Sequence, residues 1–110
     1  MQDAINNYVA LLQSQSDLLE NDYQKYTYSV QYGKVWAKVV KTPVLGAGAS
    51  VHTFIKLATG DIYFAASWKA PSKRIVGNVN NSNPLDGVTL HGGRYANDEN
   101  PYTYTGSDIL

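Results

Sequence analysis

The sequence predicts an α+β fold: an N-terminal amphipathic helix packed on a four-stranded antiparallel sheet of two hairpins, followed by an irregular C-terminal tail. Three observations carry this expectation. Apolar residues recur at helical spacing in 3–21. They alternate with polar ones through much of 24–68. From Pro71 onward the periodicity fades into a stretch rich in Gly, Asn, Pro, Asp, Ser and Thr. A chain of 110 residues holds one hydrophobic core, so a single domain over 1–110 is expected.

In the helix at 3–21, Ala4, Ile5, Tyr8, Leu11, Leu12, Leu18 and Leu19 fall mostly three or four apart, which makes one apolar stripe. Asp3 is expected to cap it and Asn21-Asp22 to end it. Residues 24–41 form the first hairpin, with Tyr26, Tyr28, Val30 and Tyr32 alternating with Thr27, Ser29 and Gln31. Val35, Ala37 and Val39 then oppose Lys34, Trp36, Lys38 and Val40. Gly33 marks the turn, because it enters positive φ at no steric cost. Thr42-Pro43 ends the second strand, and 44–49 is a loose connection.

The third strand, 50–57, places Val51, Thr53, Ile55 and Leu57 on one face and His52, Phe54 and Lys56 on the other. Ala58 to Asp61 is a tight turn with Gly60 in the left-handed region. The fourth strand, 61–68, carries Ile62, Phe64, Ala66 and Trp68 on one face, which assigns Trp68 to the core, and Tyr63, Ala65 and Ser67 on the other. The loop-rich tail, 71–110, leaves room for short strands at 88–90 and 102–105. Val88, Leu90, Tyr95, Tyr102, Tyr104 and Ile109 give it side chains for packing.

Composition narrows the functional classes. Charged residues make up 16% of the chain and the formal net charge is zero, which removes self-repulsion and favours a homo-oligomer. The zero hides a segregation: residues 1–22 carry −4, residues 23–85 carry +7 and residues 86–110 carry −3. With no cysteine, a disulfide scaffold, a thiolate metal site and a cysteine nucleophile are all excluded. No run approaches the apolar length of a membrane span, and MQDAINNY has no signal-peptide pattern, so no membrane association and a cytoplasmic location are expected.

Two groups of residues are candidates for binding. On the sheet face away from the helix, His52, Phe54, Lys56 and Tyr63 stand together, and strand pairing adds Lys34, Trp36 and Lys38. Aromatics interleaved with cations on an open sheet stack bases and neutralise phosphates. The same face also suits burial under the tail or a second subunit, and GKVWAKVV lacks the aromatic pattern of the RRM strand motif. Beyond the fourth strand, Pro71 turns the chain out of the ladder. Lys69, Lys73 and Arg74 then form a basic loop that, with Asn78, surrounds a phosphate or other anion. A plain solvated loop is the competing explanation.

Catalysis finds less support. His52 lies mid-strand, where a structural role is commoner. His91-Gly92-Gly93 has the residues of an oxyanion loop but no Gly-x-Ser-x-Gly elbow on a large α/β sheet to serve. Gly46-Ala47-Gly48-Ala49-Ser50 lacks the end of a P-loop. No metal, no cofactor and no catalytic residue is expected. The favoured function is a non-enzymatic binding module for nucleic acid or a phosphorylated small molecule. A homo-oligomeric assembly protein is second, and a small hydrolase or nuclease a distant third.

The strings Val51-His52-Thr53-Phe54-Ile55, Thr59-Gly60-Asp61-Ile62-Tyr63, Ala66-Ser67-Trp68-Lys69-Ala70-Pro71 and Gly77-Asn78 together resemble a segment of small uncharacterised proteins from phages and environmental viral sequence. The likeness covers about residues 50–80. It implies a phage-type protein made in a bacterial host cytoplasm, with virion association as a second location. That group has no established activity, so the resemblance transfers no functional residue.

Overall fold

A computed structural model describes residues 2–92. Helix α1 (Gln2–Asp17) and a short 3₁₀ turn (Asp22–Gln24) precede five strands: β1 (Tyr26–Tyr32), β2 (Trp36–Pro43), β3 (Ser50–Lys56), β4 (Asp61–Ala65) and β5 (Pro71–Asn78). The strands form one antiparallel sheet in sequential order, β1-β2-β3-β4-β5. The α+β class stands, but the sheet has five strands rather than four.

The fifth strand lies in what the sequence presents as tail. Pro71 opens β5 instead of closing β4, a position open to proline because no ladder N–H is needed there. The β4–β5 register shifts between Ile62 and Tyr63 and again between Tyr63 and Ala65, which erases the alternation that marks a regular strand. Of the two tail strands expected, 88–90 is not a strand, although Val88 is buried in the core, and 102–105 lies outside the described residues.

The helix buries Ile5, Tyr8, Leu12 and Ser16, spaced three or four apart. Ile5, Tyr8 and Leu12 share a core cluster with Tyr28, Ala37, Val39, Ile55 and Ile62 from the sheet. The helix is shorter than expected and Asp3 sits inside it, not at its cap. Leu18 is 74% exposed, because the chain leaves the helix after Asp17. Asn21 caps the 3₁₀ turn instead, its Oδ1 accepting from the Tyr23 N–H at 2.9 Å.

Polar side chains of α1 finish the join to β1. Gln13 donates from Nε2 to the Tyr26 carbonyl at 2.9 Å and accepts the Tyr28 N–H at 3.0 Å through Oε1. Ser16 Oγ accepts the Tyr26 N–H at 2.8 Å. These bonds occupy backbone groups that an edge strand otherwise offers to another chain.

Two glycines are fixed by geometry. Gly60 closes the β3–β4 turn at φ +82°, as expected. Gly87 packs so tightly against β5 that an added Cβ would collide with the Val76 carbonyl oxygen. At the β1–β2 turn, Gly33 donates its N–H to the Trp36 carbonyl at 2.8 Å, without the positive φ expected of it.

Candidate ligand-binding face of the sheet

Register decides which side chains share the face away from the core. Lys38 pairs with Phe54, Phe54 with Tyr63, and Tyr63 with Ile75, so these four form one row across β2 to β5. Trp36 pairs with Lys56 in the neighbouring row. Ala37, Val39, Ile55 and Ile62 alternate with them and point into the core. The sheet candidates Trp36, Lys38, Lys56 and Tyr63 are thus brought together, and Lys34 is exposed in the β1–β2 turn that leads into Trp36.

The rings are mutually braced. Trp36 meets Tyr63 edge-on at 5.0 Å between centroids and Phe54 at 6.2 Å. Phe54, only 3% exposed, is the floor of this cluster. Lys38 reaches from β2 to place its Nζ 4.3 Å from the Trp68 ring centroid and 5.8 Å from that of Phe54. Both contacts are within cation–π range.

Trp68 corrects the sequence expectation. Strand β4 ends at Ala65, and the N–H groups of Ala66 and Ser67 donate to the Ala70 carbonyl in a tight turn. Trp68 sits in that turn, 43% exposed, and not in the core. The signal was the run Ser67-Trp68-Lys69-Ala70-Pro71, where a small polar residue and a proline bracket the tryptophan.

The expected basic loop does not form as a loop. Lys69 is exposed in the β4–β5 turn, whereas Lys73 and Arg74 belong to β5, adjacent in a strand and so directed to opposite sides. Arg74 lies half-buried with its guanidinium carbon 5.9 Å from the Phe64 ring centroid. Asn78 is occupied at the β3–β4 turn: its Nδ2 donates to the Thr59 carbonyl and to Asp61 Oδ1, both at 3.0 Å. Asp61, the one acid within 23–85, also accepts from Thr59 Oγ1 at 2.9 Å.

His52 is the other departure. Between Val39 and Val40 the β2–β3 register shifts: Val39 pairs with Thr53 and Val40 with Val51, leaving His52 as the extra residue. This bulge breaks the period of two, so His52 joins Thr53 on the helix side. The imidazole is 1% exposed. Its Nε2 donates to the Thr89 carbonyl at 2.7 Å, which leaves Nδ1 as an acceptor. The Thr53 hydroxyl serves Nδ1 at 2.9 Å, and Tyr8 donates to Thr53 at 2.9 Å. Burial pushes the imidazole down to about 4, opposed by the hydrogen bond to the Thr89 carbonyl and assisted to a smaller degree by Lys41 and His91. Burial also raises the Tyr8 hydroxyl above the usual phenol range.

Three consecutive carbonyls of the 89–91 segment are held by the sheet in this way. Thr89 accepts from His52, Leu90 from the Tyr28 hydroxyl at 2.6 Å, and His91 from Lys41 Nζ. A cleft of about 420 Å³ opens beside this strap, lined by Val51, His52, Phe64, Thr89 and His91 among others. Both nitrogens of His52 are engaged, so the exposed histidine at this cleft is His91, whose Nδ1 lies 3.0 Å from the Tyr26 hydroxyl. Among the described residues, no three His, Asp or Glu side chains stand close enough to hold a metal ion. Nor is any described helix long and apolar enough to cross a membrane.

No curated protein and no solved structure matches the chain. The sequence does match a family of unknown function, DUF7717, over residues 1–91, which takes in the helix, all five strands and the strap, and the chain belongs to that family.

Proposed function

We propose that this chain is a non-enzymatic binding module that takes nucleic acid or a phosphorylated ligand on the outer face of its sheet. The observation that supports this most is the Trp36–Tyr63–Phe54 cluster with Lys38 drawn over Trp68. Rings and cations at alternate strand positions give a surface for planar bases beside positive charge for phosphate. Lys34, Lys56, Lys69 and Lys73 add charge in the two turns and two strands around it. Asp61, at the start of β4, is bonded to Asn78 and Thr59. A phage-encoded protein working in a host cytoplasm fits this reading, on the likeness of residues 50–80 alone.

The test is a salt series with labelled nucleic acid, comparing the wild type with the Lys34→Gln/Lys38→Gln/Lys56→Gln variant. If each of the three lysines neutralises one phosphate, the slope of log K against log salt flattens by about 2 in the variant, at about 0.7 per phosphate. Binding with no salt dependence, or an unchanged slope in the variant, removes the face from the account.

One observation favours a second reading. Ile75, beside Tyr63 in the same row, is 51% exposed, and an apolar residue there suits contact with a second copy. Sedimentation at several protein concentrations separates the two. A stable dimer without ligand, lost on Ile75→Lys, supports assembly.

A further inference from the structure

We propose that the ligand of the outer face is single-stranded nucleic acid, with bases stacked on Trp68 and on the Trp36–Tyr63 pair and phosphates held by Lys38 and its neighbours. This rests on the face being the binding surface at all, as proposed above.

Size and shape favour a single strand over a duplex. The row from Gln31 through Lys38, Phe54 and Tyr63 to Ile75 crosses five strands. Four spacings of about 4.8 Å make it roughly 19 Å wide. The major groove of a duplex, about 12 Å wide, admits a helix or a two-stranded ribbon but not such a sheet. In a duplex the base planes are also hidden in the stack, so ring faces on the protein have nothing to meet. A single strand offers both a free base plane and a phosphate at every nucleotide.

Extent favours a strand over a mononucleotide. Small ligands bind in concave sites that bury most of their surface. The aromatics on this face are spread between two stations joined by one lysine. Lys38, two residues from Trp36 on the same strand face, carries its charge to Trp68. Trp36 is half-buried against Phe54 and Tyr63, whereas Trp68 is exposed at the turn. A base on each station with a phosphate over Lys38 uses all of these groups, and one nucleotide uses only some.

The experiment titrates the full chain, at low salt, into fluorescein-labelled probes of about 15 nucleotides. The probes are oligo-dT, oligo-rU, a mixed-sequence single strand and the corresponding duplex, with ATP as an unlabelled competitor. The expected result is that single strands bind at least about tenfold tighter than duplex, with little preference among sequences. ATP at equal concentration does not displace them. Trp68→Ala then weakens single-strand binding by about 5- to 140-fold and leaves duplex binding unchanged. Duplex binding as tight as single-strand binding, or displacement by equimolar ATP, overturns the single-strand assignment. The binding face itself survives either result if Lys38→Gln weakens what does bind. Failure of every probe to bind overturns both.

Discussion

Acid destabilises this fold through His52, and the structure sets the size of the effect. The imidazole is buried and its Nδ1 accepts from Thr53, so it is held neutral although its bond to the Thr89 carbonyl favours the charged form. Its ordinary value of 6.5 falls to about 4 in the folded chain, chiefly through burial. In the unfolded chain it protonates near 6.5. Between those two values the unfolded state binds more protons, so stability rises with pH there and is lost as pH falls. At 1.36 kcal/mol per pH unit, a span of 2.5 pH units gives a loss of about 3 kcal/mol between pH 6.5 and 4. That is a large share of the roughly 5–15 kcal/mol typical of a domain. Urea unfolding across this pH range, followed by circular dichroism, measures it in the wild type and in His52→Gln. Carboxylates that titrate in the same range affect both proteins, so the difference between the curves isolates the histidine. The difference is expected to change by about 3 kcal/mol across the window. Parallel curves would show that His52 is not held neutral and would refute the burial argument.

Further predictions follow from other contacts. Tyr8→Phe removes the hydroxyl that donates to Thr53 in the same buried network, and its cost in urea unfolding is expected to be about 1–2 kcal/mol. Gly87→Ala drives a methyl group into the Val76 carbonyl. Thermal melts should show a loss of about 2–3 kcal/mol, on the order of a 10 °C drop in Tm. Gln13→Ala frees the Tyr28 N–H at the β1 edge and leaves the Tyr26 carbonyl only its 3.2 Å bond from Ser16 Oγ, with a cost near 1 kcal/mol and a rise in self-association at high concentration measured by light scattering.

Regular periodicity was legible in the sequence, and interruptions of it were not. Ile5, Tyr8 and Leu12 lie on the core side because helix spacing puts them there. Trp36 and Lys38 share the outer face because β2 keeps its alternation up to Val39. Alternation alone puts His52 on the wrong face because one bulge residue shifts parity, and nothing in Ser50-Val51-His52-Thr53 announces a bulge. Strand β5 is hidden for a related reason: its pairing skips residues twice, and Pro71 imitates a strand end. Trp68 followed from that error, since a strand drawn through to 68 buries it while one ending at Ala65 exposes it. The cations after it look like one loop in sequence, but the strand separates Lys73 from Arg74. The close approach of Gly87 depends on a contact with β5 that local sequence does not encode.

The most direct test of the outer face uses its own chromophores. The chain has two tryptophans, Trp36 and Trp68, and both belong to this aromatic surface. Titrating unlabelled oligo-dT at low salt while recording intrinsic tryptophan fluorescence therefore reports contact at the site itself. The account predicts saturable quenching that added salt reverses, and that Lys38→Gln shifts to higher oligonucleotide concentration. Unchanged tryptophan emission through the titration, in a folded protein, would contradict it.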